Sequence, residues 1–441
     1  MQDYISSFSF DKRLAPYDIE GSIAHVQMLA SKKIIPSKDA GKIIKGLKSI
    51  AKDMAKGKKL PAAEDIHFAI EAELVRRIGE VGKKMHTARS RNDQVVLDLK
   101  LYTRDAAQKI VAKILEVQKA ILSTAMKNQN VLMPGYTHLQ HGQPLFFAHH
   151  ILAYGWMLER DKARFLDMQK RLNENPLGAC AFAGTAFPID RAKTAKALKF
   201  SKSTENSVDT VSDRDFIVEF VFASALTMTH LSRFAEEIVT WSSSEFGFIS
   251  LPENLTSGSS IMPQKRNPDT AELIRGKSSK TIGNLTQLLS LIKNLPLSYN
   301  RDLQEDKPPL FESYDTTLTS LEIARQTFSG LKVNAARMEE ECRKGFLLAT
   351  ELADYLARKG MAFRAAHAIV GKIVKDLRAE SGSEDLEDVA LDRLKSYSPL
   401  FKDDVYPHLS PQRNASAKNS YGGTGTKALD IQIRNFKKLV Q

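Results

Sequence analysis

The run GSSIMPQKRNPDTAE, residues 258–272, sets Ser259, Ser260, Lys265, Arg266 and Asn267 on one short segment. Its glycine and two prolines suit neither a helix nor a strand, so it reads as a loop. A polar connector would look like this, and so would a loop built around something negatively charged. The segment closes on Asn267-Pro268-Asp269, which predicts a helix start with asparagine as cap and proline at the first position. Free backbone N–H groups at such a start favour anions, so the loop's composition and its location agree.

Three other stretches have the same character. HTARSRNDQV (86–95) precedes a long helical pattern, GYTHLQHGQP (135–144) reads as a loop presenting Thr137 and His138, and YNRDLQEDKPP (299–309) opens another helix. Taken singly, each has an ordinary explanation. Arg89 and Arg91 could be surface charges, His138 a satisfied structural histidine, Tyr299 an anchor for a helix start. Their joint occurrence at helix ends favours a shared polar site. The histidines show no metal-ligand spacing, GGTGTK (422–427) lacks the phosphate-loop pattern and a preceding strand, and there is no GxSxG elbow. We therefore expect acid–base chemistry on an anionic substrate, with no metal and no cofactor.

The elements that must position these groups are long helices. No Gly or Pro interrupts residues 84–132, and Val95, Val96, Leu99, Ile110, Val111, Ile114, Leu115, Val117, Ile121 and Leu122 recur at helical spacing. A helix over 92–130 would span roughly 55–60 Å. Residues 189–246 form a second uninterrupted run, and its part from Asp213 to Trp241 is apolar around most of its circumference. Further helices are predicted over 145–172, 268–295 and 309–330. The fold class is all-α: a five-helix central bundle (86–335), a smaller helical head (1–85) and a helical tail (336–441).

Composition sets bounds on function. The 441 residues are 42% hydrophobic and 26% charged, enough for a large core. The net charge of +12 is scattered among acidic residues, so a small polyanionic substrate is expected rather than nucleic acid. No signal peptide or membrane span is apparent, and two distant cysteines form no redox or metal pattern, which predicts a cytoplasmic protein.

The loop GSSIMPQKRNP resembles the signature G-S-S-x-M-P-x-K-x-N-P of the aspartase/fumarase superfamily. HTARSRNDQV, GYTHLQ, SDRDF (212–216), EFGF (245–248), YNRDLQEDK, the early DKRLAPYDIEGSIAH and the tail GGT are all similar to the argininosuccinate lyases, and to the related delta-crystallins, over nearly the whole chain. Lys265-Arg266 stands where Lys-Lys is commoner. A Lys-Leu-Trp-Gly-Gly-Arg-Phe stretch usual in that family is absent ahead of the matched region. The resemblance implies a three-domain, mostly helical subunit. It also implies a homotetramer with a twenty-helix core, whose active sites are assembled from three subunits.

The reaction implied is reversible β-elimination of argininosuccinate to arginine and fumarate. Ser259 and His138 are implied as the acid–base pair, with Ser259 favoured as base, and Glu272 as the carboxylate that pairs with the histidine. Lys265 and Asn267 would stabilise the doubly charged carboxylate. Ser7, Ser90, Arg91, Asn92, Thr137, Arg214, Tyr299, Gln304 and Lys307 are implied as substrate-binding. An adenylosuccinate lyase and an inactive crystallin-like structural protein are the alternatives.

Overall fold

The computed structural model describes residues 2–380 and 384–441. Helices dominate. The head carries α1 (Ala15–Ser31), α2 (Ser37–Ala55) and α3 (Ile66–Ile78); five long helices follow, α4 (Arg91–Lys127), α5 (Phe147–Leu172), α6 (Asp215–Ser242), α7 (Asp269–Ile292) and α8 (Lys307–Gly330). The tail contains α9 (Ala349–Arg358), α10 (Phe363–Ala379) and α11 (Thr426–Val440). Two compact units partition the chain: residues 1–113, 160–229 and 276–319 form the first, and 114–159, 230–275 and 320–441 the second. Each division falls inside one of the five long helices.

In the first unit, Leu97 and Leu101 of α4 pack with Ala24, Leu177, Ala195, Leu198 and Phe200. The start of α4 is fixed by a reciprocal cap. The Ser90 hydroxyl accepts from the Asn92 N–H at 3.3 Å, while Asp93 reaches back to the Ser90 N–H at 3.1 Å. Asp93 also accepts from the N–H groups of Gly178 and Cys180, at 3.0 and 2.8 Å. The run 189–246 is not one continuous helix. Asp190 and Asn206 each cap a short helix, accepting from Lys193 in one case and from Val208 and Asp209 in the other, before α6 begins.

In the second unit, the tail has its own apolar core, with Leu352, Tyr355, Leu356, Ala366, Ile373, Leu394, Phe401 and Val405 buried together. Phe234 of α6 stacks on Phe328 of α8 with ring centres 4.3 Å apart. The segment read as a loop over 135–144 is instead a β-hairpin: β1 (Leu132–Thr137) pairs antiparallel with β2 (Gln140–Phe146). Gly135 is required there, because a Cβ at that position would lie 2.7 Å from the Gln143 carbonyl oxygen.

Helix α6, apolar nearly all round, is largely covered by its own chain, although Phe222 stays 48% exposed. The conspicuous uncovered helix is α7. Leu273, Ile282 and Leu289 are about half exposed, and Gly276 and Gly283, also exposed, have open space where a Cβ would stand.

Candidate functional site

In the second unit the loop is a fastened flap. Ser257 pairs with Asn267 and Gly258 with Arg266, so two short strands, β3 (Ser257–Gly258) and β4 (Arg266–Asn267), close residues 259–265 into a protruding turn. Helix α7 begins one residue later than the asparagine-cap reading expects. The Pro268 carbonyl accepts from the N–H groups of Ala271 and Glu272, at 2.9 and 3.1 Å, so Pro268 sits at the cap and Asn267 just ahead of it.

The Ser259 hydroxyl oxygen accepts two backbone N–H groups, from Ile261 at 3.3 Å and Met262 at 3.1 Å. Such donors stabilise negative charge on an oxygen, and they are aimed at the one serine that the signature loop places first. Lys265 is exposed and makes no ion pair among the described residues. Arg266 beside it is engaged with Glu253 at 3.1 Å. Two adjacent cations thus differ in kind: one ties the flap's base and one is available.

Thr137 and His138 are exposed at the hairpin tip. The turn has two central residues, His138 and Leu139, with φ of 55° and 56°. This is the turn usually made by Asn-Gly, because both centres must be left-handed. Placing His and Leu there costs about 1–2 kcal/mol per residue. Strain of this kind is retained where the surroundings demand it, and here it falls on the candidate catalytic histidine. Among the described residues, His138 forms no hydrogen bond with Ser259, Lys265 or Glu272, and Glu272 lies 3.9 Å from Arg275 Nη2.

The first unit gathers a different set. Arg214 and Asp306 are both fully buried and ion-paired through Arg214 Nε. Lys307, 6% exposed, donates to the other oxygen of the same carboxylate at 3.0 Å. One Asp306 carboxylate therefore holds two cations, leaving the group with a net positive charge. Arg214 Nη2 is buried and has no hydrogen-bond partner. Tyr299 lies within the fields of Arg301, Arg214, Asp306 and Asp65, and burial raises its phenol pKa. Gln304 is half-buried on the same segment.

Arg91, at the start of α4, pairs through Nε with Asp65 at 3.0 Å and donates from Nη1 to Gln94 at 3.0 Å. The Asn92 amide donates to the Ala181 carbonyl at 2.9 Å. Ser7 is buried, its hydroxyl donating to Asp11 at 2.6 Å and its N–H to the Glu64 carbonyl at 2.9 Å. Asp11 in turn accepts from the Ile66 N–H at 3.2 Å, which ties Ser7 to the start of α3 beside Asp65.

Sequence reasoning passed over the three side chains that orient these groups. Asp306 lay inside a stretch already marked as polar, and its place between a lysine and a glutamate was the available signal. Gln94 also lay inside a marked stretch, three residues past Arg91, and that helical spacing was its signal. Asp65 carried none toward Arg91, and the pairings Asp65–Arg91 and Gln94–Asp18 are made only by the fold.

Comparison with known proteins places the family. Residues 1–283 match the family described as lyase, and residues 346–416 match the argininosuccinate lyase C-terminal family. The argininosuccinate lyase of Bacillus cytotoxicus is 50% identical over 443 residues, covering 100% of this chain and 95% of that protein. That of Syntrophus aciditrophicus is 47% identical over 440 residues, covering 99% and 93%. Among solved structures, an EDDS lyase in complex with formate superposes with a TM-score of 0.88 at 26% identity, covering 98% of this chain and 87% of its own. No helix among the described residues is long and apolar enough to cross a membrane.

Proposed function

The chain belongs to the argininosuccinate lyase family, and we propose how its residues divide the work of reversibly cleaving argininosuccinate to arginine and fumarate. A base must take a proton from the carbon next to a carboxylate, after which the C–N bond breaks. The proton is weakly acidic, because its removal loads more charge onto a group already anionic. Stabilising that charge is the main task. Lys265, whose side chain has no ion-pair partner among the described residues, and Asn267, just ahead of α7, take this role, helped by the free N–H groups of the helix start.

Ser259 is the base. The observation that carries this reading is its pair of N–H donors, on a turn that also carries an uncommitted lysine, since donors and positive charge favour the alkoxide over the hydroxyl. His138 is the acid, or its relay, on the strained hairpin tip, and Glu272 is its carboxylate partner in the assembled enzyme. Ser7, Ser90, Arg91, Asn92, Thr137, Arg214, Tyr299, Gln304 and Lys307 bind substrate. Ultraviolet detection of fumarate from argininosuccinate tests the assignment of substrate. Release from adenylosuccinate instead, or no turnover at all, would point to the neighbouring lyase or to a crystallin-like protein.

The assembly is a homotetramer in the cytoplasm, its active sites shared between subunits. Support comes from the exposed face of α7, where apolar Leu273, Ile282 and Leu289 alternate with Gly276 and Gly283. Apolar residues interspersed with glycines let a second helix approach closely. Within each subunit we assign a head (1–85), a bundle (86–335) and a tail (336–441). The tail's separate apolar core supports that last boundary. Sedimentation showing a fully active monomer would remove both the tetramer and the shared site.

A further inference from the structure

Three helices of the first unit meet at a buried ionic cluster that none of the roles above uses. Asp18 of α1, His67 of α3 and Asp98 of α4 are at most 1% exposed. The His67 Nδ1 lies 3.2 Å from Asp18 Oδ1 and 3.1 Å from Asp98 Oδ2. Burying charges at this depth opposes folding unless their geometry repays it. An apolar cluster would fill the same space with less difficulty, so the ionic group calls for a reason.

Its wiring supplies one. The Gln94 amide donates to Asp18 Oδ1, and the Gln94 carbonyl oxygen accepts from Arg91 Nη1 at 3.0 Å. Arg91 Nε pairs with Asp65 Oδ2 at 3.0 Å. Asp65 Oδ1 caps α3 by accepting from the Phe68 N–H at 2.6 Å, and α3 carries His67 back to Asp18. The links form a closed circuit from the buried imidazole to the Arg91 guanidinium and back. Gly21 allows the close approach of α1 and α4, since a Cβ there would lie 2.5 Å from Leu97 Cδ2 and 3.7 Å from Asp98 Oδ1.

We propose that His67 is a positioning residue: by bridging Asp18 and Asp98 it fixes Gln94, and through Gln94 it sets the Arg91–Asp65 pair that receives the substrate. The inference rests on Arg91 being a substrate-binding residue, as assigned above. Burial disfavours the charged ring, but the two carboxylates outweigh it and lift the His67 pKa to about 10. One imidazolium cannot serve both acids equally. Burial pushes Asp18 up, yet the His67 hydrogen bond and charge leave it below the ordinary value. Asp98, disfavoured by burial and by the Asp18 charge, rises to about 7. Arg89, bonded to Ser22 at 3.0 Å, faces the group as its second cation. Burial and Arg89 together hold His25 and His86 neutral, at about 3 and 4.

The test is a kinetic double-mutant cycle on argininosuccinate in the full-length enzyme, with His67→Gln, Arg91→Lys and the pair. A misplaced binding group raises KM; the expected rise is about tenfold or more for His67→Gln, with kcat changed by less than about threefold. The double variant should be little worse than Arg91→Lys alone, because His67 acts through Arg91. Gln94→Leu, which cuts the link but leaves the cluster, should reproduce the KM rise and serves where His67→Gln fails to fold. Unchanged KM in Gln94→Leu, or multiplicative effects in the double variant, would overturn the proposal. An unaltered chain that releases no fumarate would instead overturn the functional reading, and this inference with it.

Discussion

The two groups of candidate residues solve the same electrostatic problem in opposite ways. In the first unit the cations are committed before any substrate arrives: Arg214 and Lys307 share Asp306 in a buried setting, and Arg91 is held by Asp65 and Gln94. In the second unit the flap is exposed, Lys265 has no partner among the described residues, and Ser259 is held only by two backbone N–H groups. Committed cations recognise shape and charge with little reorganisation, which suits binding. An uncommitted lysine on an open turn can bring its charge to bear only when the flap engages a ligand, which suits a transition state.

The sharpest way to break this contrast is Ser259→Ala. It should cost about two to four decades in kcat. Calorimetric affinity for argininosuccinate should change little, since one hydroxyl is worth about 0.5–1.5 kcal/mol net. Ser260→Ala is the control and should be mild. Equal loss of binding and turnover would mean that the flap serves recognition after all.

Asp306→Asn probes the other side. It leaves Arg214 buried without its counter-charge, and breaking a buried pair in this way costs about 3–5 kcal/mol of stability. Thermal melting should show a large fall, and KM should rise in whatever fraction remains folded. A variant as stable as the parent would show that Arg214 is not committed.

Within the flap, Lys265→Met should lower turnover by about a hundred- to thousandfold. Arg266→Met removes only an exposed pair with Glu253, worth at most about 1 kcal/mol. Equal effects would exchange their roles. The smallest effect is expected from Leu139→Gly, which relieves about 1–2 kcal/mol of left-handed strain against about 0.4–1 kcal/mol of added chain entropy, so stability measured in denaturant should rise by at most about 1.5 kcal/mol. If turnover falls while stability rises, the strain beside His138 belongs to its function.

How far these features can be read in the sequence depends on how local their causes are. The long helices follow from apolar spacing, and the start of α7 was misplaced by a single residue because Pro268 takes the cap position itself. The hairpin was hidden because its turn uses His138-Leu139, where an Asn-Gly pair would have announced it. The prominence of Lys265 over Arg266 came from the motif, but the reason, that Glu253 occupies Arg266, did not. Asp18 meets Gln94, and Asp306 meets Arg214, across most of a domain's length of chain. No period or cap encodes such meetings. The coverage of α6 by its own chain was equally out of reach, since an apolar circumference says that a helix is surrounded and not by what.

The flap's two-pair clasp has a consequence for timing. Fastening a seven-residue turn costs roughly 2 kcal/mol of chain entropy. Each cross-strand pair returns only about 0.2–1 kcal/mol, so the open and closed forms lie near balance. A ligand that favours one of them by a single charge-assisted hydrogen bond then tips the population several-fold. A turn so balanced is suited to close on a bound anion and to reopen when it leaves. The backbone pairs Ser257–Asn267 and Gly258–Arg266 would then influence the interval between turnovers, apart from any contact the Asn267 side chain makes.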